Sequence, residues 1–217
     1  MKTRDSYKII VIGAGTAGLS STAHLLRNVP LLKESIAIID PSKKHYFQPL
    51  WSLVGGGIVS KESTMRNQES LIPKGATWIP KSVVELFPSE NKILLDDGLL
   101  LEYEILIVAA GIQINWDSIK GLKESIGTNG VCSNYSYTYV DSTWREIEKF
   151  KGGNALFTHP NTPIKCGGAP QKIMYLAEEY FCNSGVRNRS KVIFYSANNN
   201  IFQVPRYANT LEQVLER

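Results

Sequence analysis

The spacing of apolar residues changes twice between Tyr7 and Asp40. The run YKIIVIG at 7–13 is almost continuously apolar and β-branched, which predicts a strand buried on both faces of a parallel sheet. The segment LSSTAHLLRNV at 19–29 then has its apolar residues at helical spacing, and SIAIID at 35–40 predicts a second strand. Together the three segments predict a β-α-β unit.

A glycine-rich turn joins this first strand to the helix. Gly13, Gly15 and Gly18 form the pattern GxGxxG, and Asp40 ends the next strand. The first glycine permits a tight turn, the second allows a pyrophosphate to approach, and the third allows the helix to pack on the sheet. The helix start favours negative charge, and Asp40 can accept hydrogen bonds from a ribose diol. The turn therefore predicts a dinucleotide site, with a tight turn that binds no nucleotide as the alternative.

The stretch at 77–112 predicts a small β-meander that returns to the sheet. DDG at 96–98 is typical of a hairpin turn, and ILIVAAG at 105–111 predicts a buried strand. The preceding segment at 41–60 has no clear period. Its His45 lacks a second histidine or carboxylate at ligand spacing, which predicts a surface or packing histidine and no metal site.

A second β-α-β unit follows in the last third of the chain. A helix at 138–150, with Asp141 or Ser142 as its expected cap, precedes it. The unit itself consists of NALFTHP at 154–160, a helix in GGAPQKIMYLAEEYFCNSG at 167–185, and KVIFYSA at 191–197. The chain is therefore predicted to be α/β: a Rossmann-like domain of parallel sheet plus β-meander, followed by part of a second Rossmann-like domain.

Composition excludes several classes of protein. The 217 residues are 43% hydrophobic and 20% charged, which is typical of a globular protein, and no apolar run reaches the length of a membrane span. The net charge of +4 is scattered, so a nucleic-acid arm is not expected. The first strand begins so early that we expect no secretory or transit presequence in this chain. Three widely spaced cysteines predict neither a disulfide framework nor a zinc site.

The loop of the second unit, HPNTPIKCGGAPQK at 159–172, differs from the glycine-rich turn of the first unit. Pro160 and Pro163 remove N–H donors where a pyrophosphate would need them, which argues against a nicotinamide cofactor here. Cys166 instead lies just before a helix, where a thiolate is stabilised, and nearby lysines add positive charge that would attract hydrosulfide. The alternative is an inert buried cysteine in the turn. Cys132 and Cys182 predict packing or structural roles.

These segments resemble one family over nearly the whole chain. GAGTAG with Asp40, HYFQPLWSLVGGG, IVAAGIQ, SNYSY and above all PNTPIKCGGAPQKIMYLAEEYF closely resemble the sulfide:quinone oxidoreductases, in particular the mitochondrial type. The resemblance places the chain in the FAD-dependent pyridine nucleotide-disulfide oxidoreductase-like superfamily. It implies the first part of an FAD-binding domain at residues 1–120 and an incomplete second Rossmann-like domain, with the reactive cysteine, at 121–217.

The resemblance also implies an activity. Hydrogen sulfide would be oxidised through a persulfide on Cys166, electrons would pass through FAD to quinone, and the sulfane sulfur would go to a small acceptor such as glutathione or sulfite. The FAD contacts that the family implies are at Gly13, Gly15, Thr16, Ala17, Gly18, Asp40, Gln48 and Val83. Many family members have glutamate where this chain has Asp40.

The chain corresponds to about the first half of such an enzyme. The second catalytic cysteine, a second FAD-contacting motif and the membrane-facing helices belong to the later part, so membrane contact is expected only through that part. Family resemblance implies association with the mitochondrial inner membrane. Two alternatives stay open: an NADH-dependent flavoprotein, such as an NADH:quinone or disulfide reductase, and a catalytically inactive N-terminal fragment.

Overall fold

The computed structural model describes residues 5–216, which form two compact units. One unit takes in the described residues up to Phe47 together with Thr64–Gln113. The other takes in Gln48–Ser63 and the described residues from Ile114 onward. Each unit has its own hydrophobic core.

A parallel-dominated sheet with one flanking helix forms the first unit. Its helix and strands are β1 Ser6–Ile12, α1 Thr16–Asn28, β2 Ile36–Ile39, β3 Lys44–Tyr46, β4 Met65–Asn67, β5 Ala76–Ile79, β6 Val83–Phe87, β7 Lys92–Leu95 and β8 Leu100–Val108. The main sheet has the order β5-β2-β1-β8-β7-β6, and β3 pairs with β4 in a separate antiparallel ribbon. The strands β5, β2, β1 and β8 are parallel, whereas β7 and β6 are antiparallel.

Strand β1 is buried on both faces of the sheet, as the continuous apolar run predicts. Tyr7 and Ile10 belong to the core on one face. Ile9 and Val11 belong to the core on the other face, which includes Leu26 of α1. From Ile9 to Val11 the β-branched side chains fill both cores, which is the pattern of a covered parallel strand, whereas Ser6 and Lys8 at the start of β1 are exposed.

The observed structure differs from the predicted meander in two details. The first strand of that meander, β5, instead lies parallel to β2 with Ile79 opposite Ile39. The strand predicted to be buried at 105–111 is also partly open, because Ile105 is 55% exposed and Val108 is 63% exposed. The hairpin at 96–98 is confirmed, and Gly98 has a positive φ of 85° there.

The second unit is built from helices and two parallel strands. Its elements are α2 Trp51–Gly55, α3 Leu122–Ser125, α4 Val140–Lys149, β9 Gly153–His159, α5 Ala169–Asn183, β10 Ser190–Ser196 and α6 Pro205–Leu215. Strands β9 and β10 pair in register from Gly153 with Ser190 to His159 with Ser196. Phe181 of α5 and Ile147 of α4 lie in its core. Short 3₁₀ turns of the whole chain lie at Pro30–Leu32, Gln48–Leu50, Glu62–Thr64, Glu69–Leu71, Pro88–Glu90, Trp116–Ser118 and Arg187–Arg189.

The expected cap of α4 is wrong. The N-cap is Tyr139, which makes no side-chain cap hydrogen bond. Asp141 lies inside the first turn and accepts a hydrogen bond from Lys61 at 2.9 Å. The carboxylate therefore pairs with a lysine while it also lies near the positive end of the helix dipole.

None of the helices within residues 5–216 combines the length and apolarity that a membrane crossing requires.

Candidate functional site

The glycine turn after β1 is as tight as its pattern predicts. Gly13 has a φ of +100°, and a Cβ there would overlap the carbonyl oxygen of Ala109 at the end of β8. A Cβ on Gly18 would overlap the carbonyl oxygen of Gly13. These two glycines are therefore required by the close approach of backbone to backbone.

The middle glycine of the turn faces open space. No described atom lies within 4 Å of the position that a Cβ on Gly15 would take. Gly15, Thr16 and Ala17 are exposed, and Gly15 is the N-cap of α1 without any side-chain cap. The first turn of α1, which lies within the described residues, has no acidic side chain. Its backbone N–H groups and dipole are therefore available to an anion such as a pyrophosphate.

The carboxylate of Asp40 is tied to the same turn. It accepts one hydrogen bond from the Ala14 N–H at 2.7 Å and another from the Ser42 N–H at 2.8 Å. A carboxylate offers about four lone-pair positions, so both oxygens keep acceptor capacity for a ribose hydroxyl. The Trp78 indole donates to the Asp40 carbonyl at 3.0 Å and further fixes this strand end.

Two side chains that the sequence does not indicate hold the turn from another side. The amide of Gln68, which is 1% exposed, donates to the Ala14 carbonyl at 3.1 Å. Nδ1 of His45 lies 3.2 Å from the same oxygen. The pairing of β3 with β4 brings both side chains to the turn, and neither local periodicity nor a motif signals that pairing. His45 is thus a packing histidine whose ring lies against the glycine-rich turn.

The remaining predicted cofactor contacts lie at different places. Val83 is the first residue of β6 and follows the end of β5 after a short turn. The end of β5 lies beside Asp40, because the Asp40 N–H donates to the Ile79 carbonyl at 3.2 Å. Gln48 is exposed and belongs to the second unit, in the turn before α2. The first unit therefore brings together the glycine turn, Asp40 and the segment leading to Val83, and it does not contain Gln48.

Cys166 lies in a turn that leads into α5. Its carbonyl accepts hydrogen bonds from the Ala169 N–H at 3.1 Å and from the Tyr135 hydroxyl at 3.2 Å. The thiol is free and its residue is partly exposed. Gly168 caps α5, and Pro170 lies in the first turn, where a missing N–H costs no helical hydrogen bond.

Charge around Cys166 is positive. Burial lowers the pKa of Lys165, nearby Lys172 lowers it further, and the negative charge of a Cys166 thiolate opposes both effects. Lys165 thus lies close enough to Cys166 for the two side chains to interact electrostatically, and Lys172 lies close to Lys165.

The other two cysteines differ in environment. Burial raises the pKa of the Cys132 thiol; the Thr143 side chain partly opposes this effect, and the charge of Glu146 adds to it. Cys182 is exposed on α5. Of the three thiols, only that of Cys166 lies at a helix start beside lysines.

A segment near the end of the chain packs over the start of α5. A Cβ on Gly167 or Gly168 would lie 3.7 or 3.9 Å from the Phe202 ring. The Gln171 amide in the first turn of α5 donates to the Ile201 carbonyl at 2.5 Å. An aromatic side chain therefore lies against this glycine pair.

Comparison with known proteins now defines the class. The family model described as pyridine nucleotide-disulphide oxidoreductase matches residues 7–143. The chain belongs to this family. The sheet, the glycine turn and the meander all lie within the matched region, and the predicted Rossmann-like α/β fold class is confirmed.

Within the family, the chain is similar to sulfide:quinone oxidoreductases. It is 43% identical over 217 residues to the mitochondrial enzyme of Dictyostelium discoideum and 43% identical over 212 residues to that of Mus musculus. Each alignment covers 98% of this chain and 47% of the relative, so the chain spans about half the length of the curated relatives it matches. The predicted resemblance to the mitochondrial type is confirmed.

A solved structure agrees on the fold. The sulfide:quinone oxidoreductase of the hyperthermophilic bacterium Aquifex aeolicus superposes with a TM-score of 0.78 at 16% identity, which covers 97% of this chain and 49% of that chain. At this identity the likeness shows the fold alone.

Proposed function

We propose that the chain is the FAD-binding and sulfide-accepting part of a sulfide:quinone oxidoreductase. The observation that carries the proposal is the free thiol of Cys166 at the start of α5, flanked by lysines, in a chain 43% identical to enzymes of that name. The enzyme would oxidise hydrogen sulfide and deliver the electrons to quinone. The assignment of residues 1–120 to the FAD domain and 121–217 to the second domain is part of the proposal.

The residues of the first unit fit an FAD. Open space over Gly15 and the N–H groups of Thr16, Ala17 and Gly18 suit a pyrophosphate, and the spare acceptor positions of Asp40 suit a ribose. Gln48 and the Val83 backbone are proposed as further contacts. When bound, FAD supplies a two-electron acceptor.

Cys166 is the proposed site of sulfur transfer. Hydrosulfide is an anion, and the field of Lys165, Lys172 and the helix start attracts it. A bond would form between its sulfur and the thiolate Sγ of Cys166, and the hydrosulfide proton would be lost to solvent. This oxidation releases two electrons, and FAD is the acceptor that it would require. The persulfide then gives its outer sulfur to a small nucleophile such as glutathione or sulfite, and its bonding electron pair returns to Sγ.

An NADH-dependent flavoprotein is the alternative within the same family. Two observations of the second unit disfavour it: the prolines in the Cys166 loop and the Phe202 ring against Gly167 and Gly168. An inactive N-terminal fragment is the other alternative, and it predicts that FAD is not retained. A mitochondrial location is proposed because the named relatives are mitochondrial, and association with the inner membrane is proposed from the family resemblance.

Anaerobic flavin reduction separates these functions. The purified chain is loaded with FAD, freed of excess, and treated with sulfide or with NADH while the flavin absorbance is followed. We expect sulfide to bleach the flavin in the native chain and not in Cys166→Ser, with Cys182→Ser as the matched control. Bleaching by NADH alone would support the reductase alternative, and failure to retain FAD would support the inactive fragment.

A further inference from the structure

The segment SNYSY at 133–137 lies before α4 and is held by its own serines. The Ser133 hydroxyl accepts from the Tyr135 N–H at 3.1 Å, and the Ser136 hydroxyl accepts from the Thr138 N–H at 3.2 Å. The Ser136 carbonyl accepts from the N–H of Val140, the first residue of α4, at 2.9 Å. The backbone around Tyr135 is thus fixed by local turns and by the helix that follows.

The Tyr135 side chain reaches the Cys166 loop, 31 residues away in sequence, and its hydroxyl donates to the Cys166 carbonyl at 3.2 Å. The same carbonyl accepts from Ala169 at 3.1 Å, so the peptide after Cys166 is held from the helix side and from the Tyr135 side. Of the two hydrogen bonds that the structure describes at this carbonyl, that of Tyr135 joins it to a distant part of the chain.

We propose that Tyr135 is a positioning residue for Cys166, whose hydroxyl fixes the turn that presents the thiol at the start of α5. Gly167 and Gly168 follow the cysteine directly and restrict the backbone little. Without the tyrosine, this peptide can rotate relative to the helix, and the sulfur no longer keeps its place relative to the N–H groups of the first turn.

The tyrosine is suited to remain a donor. Burial raises the pKa of its phenol, and the negative charge of a Cys166 thiolate would raise it further. The raised pKa favours the protonated phenol, which is the form that donates to the carbonyl. Among the described residues, Lys165 also interacts electrostatically with Cys166, and Lys165 lies close to Lys172.

Alkylation of Cys166 tests the positioning role directly. The rate of carbamidomethylation by iodoacetamide is measured for each cysteine by peptide mass spectrometry across about pH 6 to 10, in the native chain and in Tyr135→Phe. One hydrogen bond contributes enough to expect a rate about three- to tenfold lower for Cys166 near pH 7. We also expect its pH profile to move to higher pH, whereas Cys182 keeps its rate.

Tyr175→Phe is the matched control, because the Tyr175 hydroxyl is buried and has no partner among the described residues. It should leave the Cys166 profile unchanged. Coincidence of the Tyr135→Phe and native profiles would overturn the proposal, as would an equal change at all three cysteines. Ser133→Ala, which frees the turn around Tyr135, is the second variant and should shift Cys166 in the same direction by less. The positioning role of Tyr135 rests on the proposed sulfur chemistry of Cys166. Because the alkylation assay needs neither flavin nor sulfide, the positioning role and the proposed function can fail independently.

Discussion

The three glycines of the first turn differ in what surrounds them. Backbone atoms occupy the space that a Cβ on Gly13 or Gly18 would need, whereas no described atom lies within 4 Å of a Cβ on Gly15. A turn with a purely structural role would need glycine only at positions 13 and 18. The openness at Gly15 is therefore the local feature that most favours a ligand.

Gly15→Ala should separate folding from cofactor binding. Gly15 has a φ of −73°, which alanine adopts without strain, so we expect the free energy of unfolding to change by less than about 0.5 kcal/mol. The added methyl lies in the path of a pyrophosphate, so FAD affinity should fall about tenfold or more, equal to about 1.4 kcal/mol. Urea unfolding and flavin titration measure the two quantities.

Gly18→Ala is the contrasting variant. Its Cβ would overlap the Gly13 carbonyl, so we expect a loss of stability of about 3 kcal/mol or more. If Gly15→Ala destabilised the fold as much as Gly18→Ala does, or bound FAD as well as the native chain, the assignment of this space to a ligand would be wrong.

The partly buried thiol of Cys132 should make the free energy of unfolding depend on pH. Its folded pKa is raised by burial, so the unfolded thiol, with an ordinary value of about 8.5, loses its proton first as pH rises. Stability from this group is therefore full below about pH 8 and declines as pH rises from the unfolded to the folded pKa. Urea unfolding at several pH values should show a steeper alkaline loss in the native chain than in Cys132→Ser. Parallel curves would contradict the burial of this thiol.

At the scale of elements, α2 shows how glycines allow helices to pack. The segment GGG at 55–57 brings this short helix against α4 and α5. A Cβ on Gly56 would lie 2.8 Å from Leu176, and one on Gly57 would lie 2.6 Å from the Trp144 ring. These glycines end the helix and also remove the bulk that would hold its neighbours away.

Gly57→Ala should therefore lower the free energy of unfolding by more than backbone strain alone would. Gly57 has a φ of +74°, and Gly121 in the same unit has a φ of +83° with no described atom within 4 Å of an added Cβ. Both alanine variants should lose about 1 kcal/mol or more through the left-handed backbone. Gly57→Ala should lose about 1–3 kcal/mol more through contact with Trp144. Equal losses in urea unfolding would argue against this packing.

Sequence pattern predicts some elements well for a physical reason. The first β-α-β unit has a long apolar strand, a periodic helix and glycines at fixed spacing, so each local signal agrees with the fold. The helix α2 is only five residues long and glycine-rich, so no period identifies it. The positions of His45 and Gln68 depend on the pairing of β3 with β4, which is a tertiary event.

At the scale of the whole molecule, β8 has an incomplete edge. Within residues 5–216, β7 pairs with β8 only at Leu100–Glu102, while β1 pairs with it up to Val108. The sequence predicts a buried strand because apolar residues dominate it. The sequence does not reveal how far each neighbouring strand extends. Ile105 and Val108 are exposed because β7 pairs with β8 only near its start.

This edge should promote self-association of the isolated chain, because an exposed apolar edge with free backbone groups favours pairing. We expect Ile105→Lys or Val108→Lys to lower the association seen by sedimentation velocity. Leu31→Lys is the matched control, since Leu31 is 88% exposed and lies in a 3₁₀ turn away from the sheet edge. Equal association of all variants would show that the edge has no such effect.

The proposed function requires that Cys166 takes the sulfur of sulfide. The most direct measurement is mass spectrometry of the FAD-loaded chain after anaerobic sulfide, with each cysteine peptide analysed separately and Cys166→Ser treated in parallel. We predict that one sulfur atom is added to the Cys166 peptide, that the Cys132 and Cys182 peptides are unchanged, and that Cys166→Ser gains none. Sulfur added to another cysteine, or equal addition in Cys166→Ser, would contradict the claim.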